Sequence, residues 1–347
     1  MKNRVFIVFI SCVLGYFAHA QDPQFSHIYA MPLHMGPSFA GATGGTRAAI
    51  NGRNQWTAVK QEYNTASAMI DHYFYGTRSG AGILLLRDQA GAGKLTSSNI
   101  QAQYAYSINI NKFIALRPGI QMSFVHRSID YSKIVFGDQL DFIQDRPNSI
   151  EPSLIENTKY IDFGASLLSI FNNIWLGATV DHLVTPNQSL KKEKSEVPIR
   201  ISIYSGARFS MQTTFNKKRK RENLYVMLHY NQQESFRQAL YGSYWEHNNS
   251  IFGLWYRGMP YTKSYEQYIN SDALVIMFGW KYYGLQCLYS YDFTLSKLTA
   301  YSAGSHEITL TYNWNSISEK LQKSKMKVVP CPMQDNSRRT QHNQHNM

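Results

Sequence analysis

A glycine-rich loop and two Asp-His pairs come nearest to catalytic motifs in this sequence. Gly91-Ala92-Gly93-Lys94 resembles the end of a phosphate-binding loop, but Leu95 replaces the Ser or Thr that binds Mg²⁺, and Asp88 stands where the first glycine belongs. Asp71-His72 and Asp181-His182 place a histidine beside a carboxylate. Because neighbouring residues of a strand face opposite sides, we expect neither pair to act together.

Other enzyme signatures are missing from the sequence. It contains no HExxH and no GxSxG motif, and its 11 histidines and 3 cysteines are dispersed. We therefore predict no catalytic residues, no cofactor and no metal site, and we assign no disulfide to Cys287 and Cys331. An enzyme whose catalytic residues assemble from distant strands stays an open alternative.

The elements that would position any site are β-strands. From about residue 47 onward, apolar and polar residues alternate, which is typical of strands with one apolar face. The pattern recurs in about 14 segments and is cleanest near the end, where Glu307, Thr309, Thr311 and Asn313 alternate with Ile308, Leu310, Tyr312 and Trp314.

The gaps between these strands alternate between long and short, apart from a short gap near 231–235 and a longer basic gap at 213–222. Long loops on one rim and short turns on the other are typical of outer-membrane barrels. We predict an all-β, antiparallel, transmembrane outer-membrane β-barrel of about 14 strands, with both termini in the periplasm. The alternative is a soluble β-sandwich, but the polar faces carry Gly, Ser, Thr, Gln and Asn rather than many Lys and Glu.

Composition agrees with this class. The chain has 347 residues, 44% of them apolar and 17% charged, a net charge of +12 and a mean hydropathy of −0.36. Runs of roughly 20 apolar residues, which transmembrane helices require, do not recur. The 18 Phe, 24 Tyr and 6 Trp argue against a disordered chain.

Four regions are predicted along the chain. Lys2 and Arg4, an apolar run and Ala18-His19-Ala20 indicate a signal peptide over 1–20. Residues 21–46 lack strand periodicity, so they either plug the lumen or cover the periplasmic mouth. The barrel is predicted over 47–315, and a basic and polar periplasmic tail over 316–347.

Twelve charged side chains are predicted to face inward from the parity of their strands. Because both signs occur, they either brace a filled interior through ion pairs or line a selective pore. They are Arg47, Arg53, Asp71, Arg117, Asp162, Asp181, Arg200, Arg208, Arg257, Lys281, Asp292 and Glu307.

The basic run Lys217 to Arg221 invites a nucleic-acid interpretation, but an exported barrel argues against nucleic acid as a partner. We place this run in a periplasmic turn that is simply solvated, or that contacts anionic headgroups or a partner.

Several short segments together resemble the PorP/SprF family of outer-membrane proteins, which serve type IX secretion and gliding in Bacteroidetes. The resemblance spans nearly the whole mature chain, with departures at Gly36 and Ser38. Its residues are Asp22, Pro23, Phe25 and Tyr29 in the opening segment; Arg53, Asn54, Gln55 and Trp56; His182, Pro186 and Asn187; Arg257; Tyr291, Asp292 and Ser296; and Gly304, His306 and Glu307.

The resemblance implies a non-enzymatic secretion component in the outer membrane, in contact with its lipid. The implied partners are periplasmic ring and peptidoglycan-associated subunits, and a cargo with a carboxyl-terminal signal, such as an adhesin. We expect the long loops, particularly 126–159, to hold the cargo, and the amino-terminal segment and tail to contact the machinery. The alternative is a small-solute porin or hydrophobic-substrate transporter on the same barrel.

Overall fold

The computed structural model describes residues 22–58, 63–91, 93–111, 113–131, 157–190, 194–215, 218–263, 269–295 and 303–314. Within these ranges, fifteen strands form one antiparallel sheet. They are β1 (Thr46–Gln55), β2 (Tyr63–Phe74), β3 (Ser79–Ala90), β4 (Leu95–Tyr106), β5 (Ile108–Asn109), β6 (Ile114–Ser128), β7 (Asn157–Phe171), β8 (Ile174–Asp181), β9 (Arg200–Phe215), β10 (Lys218–Gln233), β11 (Phe236–His247), β12 (Ser250–Lys263), β13 (Ile269–Tyr282), β14 (Leu285–Thr294) and β15 (Ser305–Trp314).

The sheet closes into a barrel. Each long strand pairs with its neighbour in the chain, β1 pairs with β15, and β4 pairs with β6, while the two-residue β5 only extends one edge of β6. The prediction of a 14-stranded antiparallel barrel is therefore confirmed. Among the described residues, no helix is long and apolar enough to cross a membrane.

The two faces of the wall follow the alternation in the sequence. Outward side chains such as Ile50, Ile120 and Leu254 are more than half exposed. Aromatic residues end this apolar face at the short-turn rim, as in the aromatic girdles of membrane barrels; they include Phe74, Phe171, Trp280, Tyr282 and Trp314.

Loop lengths agree with the prediction in most places. The long-loop rim carries the segment between β8 and β9, described over 182–190 and 194–199, while residues 132–156 of the loop predicted over 126–159 lie outside the described part of the chain. The short-turn rim carries 75–78, 172–173, 248–249 and 283–284. Both β1 and β15 have their outer ends, Thr46 and Trp314, at the short-turn rim.

The predicted turn over the basic run is wrong. β9 extends to Phe215 and β10 begins at Lys218, so most of the run belongs to a strand. This hairpin continues past the last pairs with its neighbours, Ile174↔Ala207 and Glu222↔His247. A ribbon beyond the barrel wall needs no apolar face, which is why alternation is weak there.

Candidate functional site

The lumen is occupied by the chain's own amino-terminal part. Residues 22–45, here called the plug segment, run inside the barrel through two short 3₁₀ turns, Pro32–His34 and Pro37–Phe39. Tyr29 and Ala30 are completely buried, and nearly every residue from 25 to 42 is shielded from solvent. The segment therefore lies within the lumen and does not cover the mouth of the barrel.

Ser26 is the centre of one buried charge cluster. Its backbone N–H donates to Glu307 Oε2 at 2.7 Å, and its hydroxyl donates to Asp292 Oδ2 at 2.8 Å. Arg53 donates to the same hydroxyl at 3.0 Å and pairs with Asp292 and Glu307 at 2.8 and 2.9 Å. Arg257 donates to Ser26 and pairs with Asp292 at 3.0 Å. We call these five residues the Ser26 cluster.

The Ser26 cluster is balanced in charge and suited to holding the plug segment. Two guanidinium groups face two carboxylates, and the plug contributes polar atoms rather than a charge. The Ser26 hydroxyl lies between Arg53, Arg257 and Asp292, and the ring of His27 contacts Thr309 Oγ1 instead. Since no histidine contacts Ser26 in these bonds, the arrangement differs from that of an activated serine nucleophile. The bonds instead hold the plug segment against the barrel wall.

A second cluster holds the first described residue of the plug. Asp22 Oδ2 accepts from His182 Nε2 at 2.9 Å and pairs with Arg200 Nη1 at 2.7 Å. His182 Nδ1 lies 2.6 Å from Asp162, and Arg200 pairs with Asp181 at 2.7 Å. We call these five residues the Asp22 cluster. It lies at the long-loop rim, because β8 ends at Asp181 and β9 begins at Arg200.

His182 reaches the lumen through an unusual backbone conformation. Its φ is 60°, a left-handed value that is costly for a residue other than glycine. This conformation directly follows the end of β8 and ends the strand alternation there, so His182 and Asp181 both join the Asp22 cluster. The expectation that the two face opposite sides is therefore wrong.

The imidazole of His182 is held as a cation. Burial disfavours the charged form, but Asp22 and Asp162 outweigh it and raise the pKa of His182 to about 10. For Asp22, burial acts in the opposite direction to Arg200 and His182, and the net effect holds its pKa well below the usual value. Both groups are therefore ionised at neutral pH.

The pH dependence of this cluster follows from the raised pKa of His182. A group whose pKa rises on folding, here from 6.5 to about 10, stabilises fully below about 6.5, and its contribution falls as pH rises through about 10. We expect the melting temperature of the wild type to fall between about pH 6.5 and about pH 10, and His182→Gln to lose most of this slope. His126→Gln, on the outer face of β6, is the control; equal slopes in both variants would contradict the assignment.

Deeper in the lumen, the wall approaches the backbone of the plug closely. Arg117 is completely buried and donates to the carbonyls of Ser38 and Ala40. Arg47 pairs with Asp71 through two bonds of 2.8 and 3.0 Å, and Asp71 also accepts the Gly41 N–H at 2.8 Å. The carbonyls and N–H groups of a segment without regular structure are thus satisfied by the barrel wall.

Gly80 and Gly119 make this approach possible. A Cβ at Gly80 would lie 1.9 Å from the Ala40 carbonyl oxygen, and one at Gly119 would lie 2.4 Å from the Ser38 nitrogen. These neighbours are backbone atoms, so the plug itself would have to move. The glycines are required by packing rather than by backbone conformation.

We expect Gly119→Val to loosen the plug by about 1–3 kcal/mol, the usual cost of overpacking. Chymotrypsin should then cleave the plug about tenfold faster or more than in the wild type, as measured by mass spectrometry of the fragments. Gly52→Val is the matched control, because nothing lies within 4 Å of a Cβ at this outward glycine. Equal cleavage of both variants would show that Gly119 does not seat the plug.

The structure brings eight of the resembling residues together in the lumen. The plug residue Phe25 stacks on His34 at 4.3 Å, and the Tyr29 hydroxyl donates to the Leu228 carbonyl at 3.0 Å. The eight residues are Asp22, Phe25, Tyr29, Arg53, His182, Arg257, Asp292 and Glu307. Pro23 lines the adjacent cavity, which measures about 100 Å³.

The other resembling residues lie in the wall or at loop ends. Trp56 packs edge-on against Tyr63 just after Gln55 ends β1, while Pro186 and Asn187 accept backbone hydrogen bonds within the loop 182–199. Gly304 has a φ of 66° and no room for a Cβ beside the Asp292 carbonyl. Asn54, Tyr291 and His306 face outward, and Ser296 lies outside the described residues.

Ser26, Asp162, Asp181 and Arg200 are contacts that the list of resembling residues missed. Strand parity had placed the last three inward, so a signal for them existed. Ser26 lies within the opening segment that resembles the family, but the plug segment lacks periodicity, so no pattern indicates what Ser26 contacts. The described part of the chain contains no group of three or more side chains arranged to hold a metal ion.

Comparison with known proteins gives a family match over most of the chain. The family described as "Type IX secretion system membrane protein PorP/SprF" matches residues 17–312. No curated protein matches the chain.

Solved barrels resemble it only in general architecture. Omp33 of Acinetobacter baumannii is 5% identical, with a TM-score of 0.43 over 77% of this chain and 98% of that one. The toluene transporter TodX of P. putida is 9% identical, with a TM-score of 0.42 over 81% of this chain and 92% of that one.

Proposed function

Because the chain belongs to the PorP/SprF family of type IX secretion system membrane proteins, we propose that it assists the export or surface attachment of a cargo protein such as an adhesin. The family and the closed barrel make it an outer-membrane protein. The finer role proposed is docking without catalysis: the long-loop side holds a cargo that carries a carboxyl-terminal signal, while the short-turn side contacts the periplasmic ring and peptidoglycan-associated subunits.

The occupied lumen is the observation that supports docking over conduction. The plug segment is tied to the wall by the Ser26 cluster, the Asp22 cluster and Arg117. A polypeptide passing through the barrel would have to displace all three sets of contacts. A cargo held at the outer rim leaves them intact, so attachment needs no opening of the lumen.

The arrangement of the loops supports the long-loop rim as the docking side. In the described parts of the loop 182–199, Asn187 Oδ1 accepts from the Ser189 and Ser195 N–H groups at 3.1 and 3.0 Å. It adjoins the Asp22 cluster through His182. A contact on this loop therefore lies next to the end of the plug, which gives docking a route to influence the lumen.

Site-specific photo-cross-linking tests this proposal. A benzophenone amino acid replaces Lys194, which is 77% exposed in the long-loop rim, or Tyr283, which is 59% exposed at the short-turn rim. We expect cargo bearing the signal to cross-link at 194 and machinery subunits at 283 in intact cells. Cargo captured at neither position, or at 283 alone, would contradict the proposed docking side.

The porin or transporter alternative is separated from docking by conductance. If the protein is a porin, the wild type should pass ionic current in planar bilayers. If it is a plugged docking barrel, the wild type should pass almost no current. Strong wild-type current together with absence of cargo cross-links would favour the alternative.

A further inference from the structure

Two cationic side chains and a histidine lie in one row across four strands on the outer surface of the barrel, near its long-loop rim. In the register of the sheet, Arg87 on β3 lies opposite Ser98 on β4, Ser98 lies opposite His126 on β6, and His126 lies opposite Lys159 on β7. Adjacent strands are about 4.8 Å apart, so Arg87 and Lys159 are separated by roughly 14 Å along one row. Arg87 and Lys159 are exposed, and His126 is half-buried.

This row marks the edge of the apolar band. Two residues further from the rim, the same strands place Leu85, Ile100, Phe124 and Ile161 side by side, each more than 40% exposed. Two residues along a strand span about 6.8 Å, so the cations lie one step outside the hydrocarbon. That is the depth at which lipid phosphates are found.

The chemistry of the row favours an anion. Along the described lengths of β3, β4, β6 and β7, the outward positions hold no carboxylate that would neutralise these cations. At their opposite, short-turn ends, the same strands carry aromatic side chains such as Tyr104, Tyr106 and Phe171 in outward positions. In the described lengths of these four strands, outward basic side chains therefore occur only at the end nearer the long-loop rim.

A notch continues the row on its β1 side. Gly52 and Ala66 face each other across β1 and β2, and Ala66 pairs in turn with Arg87. With neighbouring polar side chains such as Asn64 and Gln89, they line a shallow concavity of about 430 Å³. Its floor is small and apolar, and its rim side is polar, which matches the junction between a headgroup and an acyl chain.

We propose that Arg87, His126 and Lys159 form a binding row for the phosphate groups of anionic lipids in the leaflet at the long-loop rim, with the Gly52–Ala66 notch seating part of a lipid. The row gives the barrel a preferred lipid environment and fixes its depth on this side. It involves no cargo and no plug contact, so it stands or falls independently of the docking role.

Lipid binding by the purified full chain in detergent tests the proposal. Native mass spectrometry and melting-temperature titrations would compare phosphatidylglycerol, phosphatidylcholine and inorganic phosphate. We expect selective binding of phosphatidylglycerol that weakens with salt. Each of Arg87→Gln and Lys159→Gln should reduce its affinity about fivefold, and the double variant about 25-fold.

Lys194→Gln is the matched control, because it removes the same charge from a loop of the same rim, where Lys194 pairs with Glu196 at 2.7 Å. Unchanged phosphatidylglycerol affinity in the double variant, or equal loss in the control, would overturn the proposal. So would equal binding of phosphatidylcholine, or displacement of the lipid by inorganic phosphate at matched concentration. If a variant fails to fold, the salt dependence and lipid selectivity of the wild type still decide the question.

Discussion

Deletion of residues 22–45 is expected to convert a nearly silent barrel into a conducting pore. A barrel of this strand number is wider than eight-stranded barrels, whose interiors side chains alone can fill. The wall that the plug contacts is polar and charged, including Arg53, Arg117, Asp292 and Glu307. Once the plug is removed, water can hydrate these groups, so the lumen should carry ions rather than collapse. The measurement is single-channel current in planar bilayers.

Two controls make the deletion interpretable. A variant that keeps the length of the plug but replaces its residues with Gly and Ser, with Gly at position 26, should also conduct, because it lacks the Asp22 and Ser26 side chains that bind the wall. Gly52→Ala, on the outer face, should stay as silent as the wild type. A folded, inserted deletion variant without current would show that another part of the chain closes the lumen.

Arg53→Met is expected to release the plug without removing it. Arg53 is 4% exposed and contacts Ser26, Asp292 and Glu307. Its loss leaves two buried carboxylates with Arg257 as the remaining guanidinium of the Ser26 cluster. Removing one partner from a buried ion pair costs about 3–5 kcal/mol. The population with an open plug should therefore rise by about 100-fold or more.

Chymotrypsin measures this release, because the plug contains Phe25, Tyr29 and Phe39 but no Lys or Arg for trypsin. Cleavage within the plug should accelerate in Arg53→Met and stay at the wild-type rate in Lys194→Met. Adding Glu307→Gln to Arg53→Met restores the balance of charge, so part of the protection should return. If Arg53→Met were cleaved no faster than the wild type, the Ser26 cluster would not be what holds the plug segment in the lumen.

Family membership and fold class were both accessible from the sequence. The period of two in Ile308, Leu310, Tyr312 and Trp314 predicted the outward face of β15, and these side chains do face outward in the structure. The same parity predicted inward positions for Arg53, Asp292 and Glu307, although not what they bind. The pattern failed over 217–221, where the β9–β10 hairpin leaves the wall.

Strand alternation is a local property, because successive side chains of a strand must face opposite sides whatever the rest of the chain does. The sequence by itself therefore determined the strands, their apolar outer face and the inward set of charges, while the pairing of β1 with β15 closed them into a barrel. Only the tertiary structure decided what fills the lumen. The contact between Ser26 and Glu307 joins residues 281 positions apart, and His182 turns inward through a backbone angle of 60° that no spacing encodes. Such contacts form only after the barrel has closed, because closure brings charges from distant strands around the plug segment. The plug segment itself has no strand periodicity from which these contacts could be predicted.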